Sequence, residues 1–201
     1  MWPWGHLAIG YFLYTGYRWI RFREPPTGWP ILALALGTQF PDLVDKRLAY
    51  WVGILPEGRS LLHSYLLVGP LGAATVALAR RNGVGVAGTA FVIGLLSHPI
   101  TDGLAAIQAR EFDQLSYLVW PVLPAPDYIA QDFGYHWVAL LEGVDGVSLA
   151  QPSTLISDPF IVQLWLGCLL VLLWGSHGMP PLQPIMHLLR KRIATVGIGN
   201  R

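Results

Sequence analysis

The sequence predicts an all-α fold: a polytopic membrane helical bundle of about five transmembrane segments, forming one integral domain over residues 1–201. Three observations carry this. Hydrophobic residues make up 53% of the chain and charged residues only 12%, with a mean hydropathy of +0.46. An ordinary soluble domain carries about 25% charged residues, so this chain has little with which to wet a surface. The apolar residues also gather into separate runs, at 6–20, 30–45, 61–79, 84–106 and 159–176. Finally, breaker chemistry parts those runs: Glu24-Pro25-Pro26-Thr27-Gly28, Pro56-Glu57-Gly58 and Arg80-Arg81-Asn82-Gly83. The apolar content excludes intrinsic disorder. The single cysteine, Cys168, excludes a disulfide scaffold, and a net charge of +1 argues against nucleic acid as a partner.

Each element follows from its run. A bilayer takes about 20 apolar residues to cross. The third, fourth and fifth runs approach that length; the first two are shorter and are read as helices accommodated by local thinning or by packing inside the bundle. Residues 107–158 form a long extracytoplasmic connection containing Pro121, Pro124, Pro126 and Pro152. At about 50 residues it is too long for bare loop, and short interfacial helices rich in Trp and Tyr are expected there. Residues 159–201 hold the last segment and a basic tail, and residues 1–125 hold the core that carries the chemistry. Met1–His6 has neither the basic region nor the cleavage site of a secretory leader, so the first run is expected to stay in the mature protein.

Charge orients the bundle. Residues 18–29, 80–83 and 176–201 hold nine basic side chains against Glu24 alone, whereas the opposite set holds four against eleven acids. Lys and Arg mark the cytoplasmic side. The expectation is a multi-pass cell-membrane protein with its N-terminus outside and its C-terminus in the cytoplasm. Arg190-Lys191-Arg192 is read as a topology anchor or an anionic-lipid contact.

The polar residues able to bind a metal are few and placed alike. His6 begins the first run, Asp42 and Asp45 end the second, His63 begins the third, and His98 and Asp102 end the fourth. In an up-and-down bundle all six lie at one level, on the outer side. His98 and Asp102 are i,i+4 and Asp42 and Asp45 i,i+3, so each pair can share a helix face. Imidazole with carboxylate suits zinc, manganese or iron(II), with zinc the expected ion and manganese the alternative, rather than calcium or magnesium, which favour all-oxygen shells. His6, Asp42, His63, His98 and Asp102 are the candidate ligands. Asp45 is either a base or a support behind a ligand, or a solvated carboxylate pairing Lys46 or Arg59. Arg59 can contact a substrate phosphate through its planar fork, or pair with Glu57 or Asp45. His136 is a candidate cap over the site from the outer connection. His177 and His187 lie on the cytoplasmic side and read as structural. Ser64 has no Gly-x-Ser-x-Gly elbow around it, and Ser97 and Thr101 read as ordinary helix hydroxyls.

Gly5-His6-Leu7-Ala8, Phe40-Pro41-Asp42-Leu43-Val44-Asp45-Lys46, Arg59-Ser60-Leu61-Leu62-His63-Ser64, Ser97-His98-Pro99-Ile100-Thr101-Asp102 and Trp120-Pro121 occur in that order. Over about residues 1–125 this set resembles the YdjM-type family of membrane-bound, predicted metal-dependent hydrolases, and its haloarchaeal-like members in particular. The resemblance implies a membrane protein with a His/Asp metal site, distantly similar to zinc-dependent phospholipases C. Two departures bear on it. Gly58 stands where many members have the first His of a His-Arg-Gly-x-Thr-His-Ser block, and the usual Asp-x-Asp pair is spaced by one more residue as Asp42 and Asp45. A mononuclear site follows better than a binuclear one.

Three functions compete at this point. The first is a metal-dependent hydrolase at the outer membrane face, walled by Trp2, Trp4 and Trp120, acting on a lipid phosphoester or another amphipathic substrate. The second is a non-enzymatic membrane protein whose cluster is a structural metal site or polar clasp. A metal transporter fits less well, because transport sites lie near the bilayer midplane between repeats.

Overall fold

In the computed structural model, residues 1–127 and 159–182 are described, together with Val138 and Leu141. Among them every regular element is helical: α1 Pro3–Phe22, α2 Pro30–Tyr50, α3 Tyr65–Arg81, α4 Gly85–Asp102, α5 Leu104–Ala109, a 3₁₀ helix Phe112–Val119, and α6 Pro159–Ser176. All five apolar runs are helices, so the all-α reading holds. One helical stretch, Gly85–Ala109, is long and apolar enough to cross a membrane by length and composition, and Phe160–Ser176 is a shorter apolar helix.

Local chemistry sets the ends. Pro3 and Pro30 open α1 and α2, where a missing N–H costs nothing. Arg23, at φ 59°, closes α1 in the left-handed region by donating its N–H to the Trp19 carbonyl. The third run differs from its expected span, since α3 begins at Tyr65. Ser64 caps it, its Oγ accepting from the Leu66 N–H at 3.3 Å and donating to the Trp120 carbonyl at 2.6 Å. His63 therefore lies just before the helix. The fourth run breaks at Gly103 into α4 and α5. The described part of the connection after α4 contains α5 and the 3₁₀ helix; the expectations for His136, His187 and Arg190-Lys191-Arg192 fall outside the described residues.

Helix α4 is central, packing against α1, α2 and α3, while α6 packs chiefly on α1. Tyr11, Tyr14, Ile31, Leu34 and Ala90 form one buried cluster, and Leu62, Val68 and Leu95 a second. Glycine allows the closest approach. A Cβ on Gly37 would stand 2.1 Å from the Phe91 carbonyl oxygen, and one on Gly94 2.5 Å from that of Leu34. Small residues at contacting helix faces are how membrane helices approach this closely. Consecutive helices α1–α4 alternate in direction. Helix α6 runs with α1, as the Trp2 N–H donates to Gln163 Oε1 at 2.7 Å near its start and Tyr11 Oη meets His177 Nδ1 at 2.9 Å near its end.

Candidate metal centre

The alternation carries His6, Asp42, Asp45, His63, His98 and Asp102 to one end of the bundle, where they meet. His63 Nε2 lies 3.5 Å from Asp42 Oδ1 and 3.7 Å from Asp102 Oδ2. His98 Nε2 lies 3.6 Å and 3.9 Å from the same two oxygens. One donor atom from each of these residues falls within 4.8 Å of all the others. Four donors about 2.1 Å from a tetrahedral centre would stand about 3.4 Å apart. The imidazole–carboxylate separations, 3.5 to 3.9 Å, are slightly wider than such a shell, and all pairs lie within 4.8 Å.

His6 sits beside this quartet. Its ring stacks on that of His98 at 4.0 Å, and its Nε2 is 3.2 Å from Asp102 Oδ1. The carboxylate of Asp102 thus faces His6 through one oxygen and His63 and His98 through the other.

Each imidazole is anchored from behind at Nδ1. His98 Nδ1 donates to the Thr38 carbonyl at 2.6 Å, and His63 Nδ1 donates to Asp45 Oδ2 at 2.8 Å. His6 Nδ1 is 2.7 Å from Thr101 Oγ1, and the Thr101 hydroxyl proton goes to the His98 carbonyl at 2.8 Å. The Thr101 oxygen is left to accept, so the His6 Nδ1 carries the proton. In the neutral rings of His6 and His98 this network leaves Nε2 as the lone pair, turned inward. Among the described residues, the Nε2 atoms of His6, His63 and His98 and Oδ1 of Asp42 are buried without a hydrogen-bond partner. Buried polar atoms are normally satisfied, and metal-binding imidazoles are normally held by their other nitrogen. The donor set fits a divalent cation.

The remaining residues surround it. Asp45 is fully buried and accepts from the Ser60 and Leu62 N–H groups as well as from His63. Neither expected partner reaches it: Lys46 pairs with Asp42 at 2.8 Å, and Arg59 with Asp102 at 3.0 Å. Both Asp45 oxygens are engaged, which suits support behind a ligand rather than proton transfer. Burial lowers the pKa of His63, but the hydrogen bond to Asp45 and the nearby carboxylates of Asp102 and Asp42 outweigh it and raise it from 6.5 to about 10. Among the described residues, the exposed part of the site is at Asp42. Asp42 is 23% exposed, flanked by Lys46 at 34% and Arg59 at 18%, whereas Asp102 and the three histidines are nearly or wholly covered.

Sequence reasoning missed two parts of this shell. Thr101 orients His6 and is no ordinary helix hydroxyl. Tyr117, fully buried, donates to the Pro99 carbonyl at 2.8 Å and places its ring 6.1 Å from that of His63. Thr101 lies three residues after His98, a spacing that could have flagged it; nothing local marks Tyr117. The tryptophan wall also differs. Trp2 and Trp4 stack on each other at 4.6 Å, and Trp4 turns to Gly167 of α6. Two residues along a helix are roughly 200° apart, so Trp4 and His6 occupy opposite sides of α1. Gly58 lies against Tyr50, whose Oη would be 2.6 Å from a Cβ there.

No curated protein and no solved structure matches the chain. The YdjM inner membrane protein family matches residues 1–179. That span runs past the motifs, which end near residue 125, and takes in α6. The fold, the ordered motifs and this match agree, and the chain belongs to the YdjM inner membrane protein family.

Proposed function

We propose that this protein is a membrane-bound metal-dependent hydrolase, with its metal held by Asp42, His63, His98 and Asp102 and with His6 as a further donor. One observation carries the reading: buried donor atoms without partners converge, from rings each anchored at the other nitrogen. Zinc is the first choice and manganese the second for mixed imidazole and carboxylate donors. Bound there, such an ion polarises a carbonyl or phosphoryl oxygen and acidifies water.

The chain's own residues do the rest. Asp45 positions His63, and Thr38 and Thr101 fix the rings of His98 and His6. Substrate approaches along the exposed edge of Asp42, between Lys46 and Arg59. Arg59 offers its guanidinium to an anionic oxygen there. Two cations at the mouth favour a phosphoester over a neutral ester, and membrane residence favours a lipid or another amphipathic molecule. The basic excess of the inter-helix segments supports five crossings, the N-terminus outside and the C-terminus in the cytoplasm; the site then faces the extracytoplasmic side.

A second reading has its own observation. Asp42, His63, His98 and Asp102 alone complete a four-donor shell, as in closed structural zinc sites. The cluster would then be a non-enzymatic clasp joining α2 and α4 to the loop before α3.

Elemental analysis of detergent-purified protein, wild type beside His98→Ala at matched folding, tests both. About one equivalent of zinc or manganese, lost in the variant, is expected. Hydrolysis of lipid phosphoesters by the loaded protein would then separate enzyme from clasp. Absence of metal from both proteins, with the variant as stable as wild type, would overturn the metal-centre reading altogether.

A further inference from the structure

A groove of about 640 Å³ lies between the start of α1 and the length of α6, lined by Trp4 and by Leu164, Gly167, Cys168, Leu170, Val171 and Leu172. From Leu164 to Leu172 it runs about 12 Å along the helix. Its lining is apolar except for one group. The Trp4 indole Nε1–H is buried and has no hydrogen-bond acceptor among the described residues. The ring's Cδ1, bonded to Nε1, lies 3.7 Å from where a Gly167 Cβ would be. This edge of the ring therefore faces α6 beside Gly167, and both residues line the groove. A buried donor without an acceptor costs about 1–3 kcal/mol, which a ligand carrying an acceptor would relieve.

We infer that this groove is a lipid site, seating one acyl chain of a glycerophospholipid with its ester carbonyl accepting from Trp4 Nε1. The ligand must be apolar along about 12 Å and must carry one acceptor at one end, which is the form of an esterified fatty acid. Another helix fits poorly, because its backbone carbonyls are already bonded within it. The level fits as well. Trp4 stands at the first turn of α1, stacked on Trp2, and tryptophans of membrane proteins gather at the interfacial depth of ester groups. Because α1 stands between Trp4 and His6, this site is separate from the candidate metal centre and does not depend on it.

The test is photolabelling of purified full-length protein in detergent with phosphatidylglycerol carrying a diazirine in one acyl chain. The expected label is saturable, maps to residues 164–172, and is competed by unlabelled phosphatidylglycerol. An ether-linked analogue, lacking the carbonyl, should compete about fivefold less well, and Trp4→Phe should lower affinity by a similar factor. Gly167→Trp, which fills the groove, should abolish the label while leaving metal content unchanged. Unsaturable label spread over exposed apolar positions such as Leu36 and Leu71 would mean bulk boundary lipid only and overturn the proposal. So would ester and ether lipids competing equally, or label unaffected by Gly167→Trp.

Discussion

His63 donates from Nδ1 to Asp45 at 2.8 Å while its opposite nitrogen faces Asp42 and Asp102. Two carboxylates of one helix, three residues apart, thus hold opposite edges of a single ring. Asp45 also accepts the N–H groups of Ser60 and Leu62, so it folds the loop that presents His63. The same carboxylate serves both the ring's direction and the loop's shape.

Asp45→Asn should separate these effects. The amide keeps the size but loses the charge and turns one of its two ends into a donor facing donors. Partners behind metal-binding imidazoles typically contribute 10–100-fold to affinity. Zinc affinity, measured by competition with a chromophoric chelator, should fall by about that factor, and thermal unfolding should move down. Affinity unchanged with stability lowered would leave Asp45 as a loop anchor alone.

The raised pKa of His63 sets the sign of a pH dependence. In the metal-free protein the ring holds its proton up to about 10, because three carboxylates surround it. A metal takes Nε2 only when that proton leaves. Apparent affinity should therefore rise with pH, by roughly tenfold per unit for one displaced proton. Chelator competition from about pH 6 to about pH 8 measures the slope. A flat profile would mean that metal binds without displacing a proton from His63.

Thr101→Val asks whether His6 is a donor. The substitution keeps the shape but removes the oxygen that accepts from His6 Nδ1 at 2.7 Å. The imidazole then loses its reason to keep Nε2 bare. If His6 completes the shell, affinity should fall by about tenfold; if Asp42, His63, His98 and Asp102 suffice, it should not change. Measuring the same variant against His6→Ala shows whether the two act through one contact, since coupled residues give less than additive losses.

The position of the candidate site is legible in the sequence, because helices of an up-and-down bundle alternate direction and ionisable residues are rare in apolar segments. His6, Asp42, His63, His98 and Asp102 were marked by their places at the ends of runs. The partners were not so marked. The Thr38 carbonyl is a backbone group and carries no sequence signal, and Asp45 reads equally as a base or support behind a ligand or as a solvated carboxylate pairing Lys46 or Arg59. Tyr117 reaches His63 from a connection with no periodicity to place it. Level alone puts Trp2, Trp4 and Trp120 beside the site, and the helix face reverses that for Trp4. Long-range packing decides these contacts, and a single sequence records it only as scattered small residues.

Gly94 is one of those small residues, and it links packing to chemistry. It lies one turn before His98 on α4, against α2 at the turn that carries Thr38. A Cβ there would stand 2.5 Å from the Leu34 carbonyl oxygen and 2.8 Å from the Thr38 nitrogen. Backbone cannot yield as a flexible side chain would, so Gly94→Ala must push α2 and α4 apart. The Thr38 carbonyl that holds His98 at 2.6 Å moves with α2. Overpacking of this kind costs about 1–3 kcal/mol. The variant should unfold at lower temperature and also bind zinc more weakly, although residue 94 offers no ligand. Gly69→Ala is the control, since nothing lies within 4 Å of a Cβ at that position. Should Gly94→Ala match that control in metal affinity, the spacing of α2 and α4 would not be what holds His98 in place.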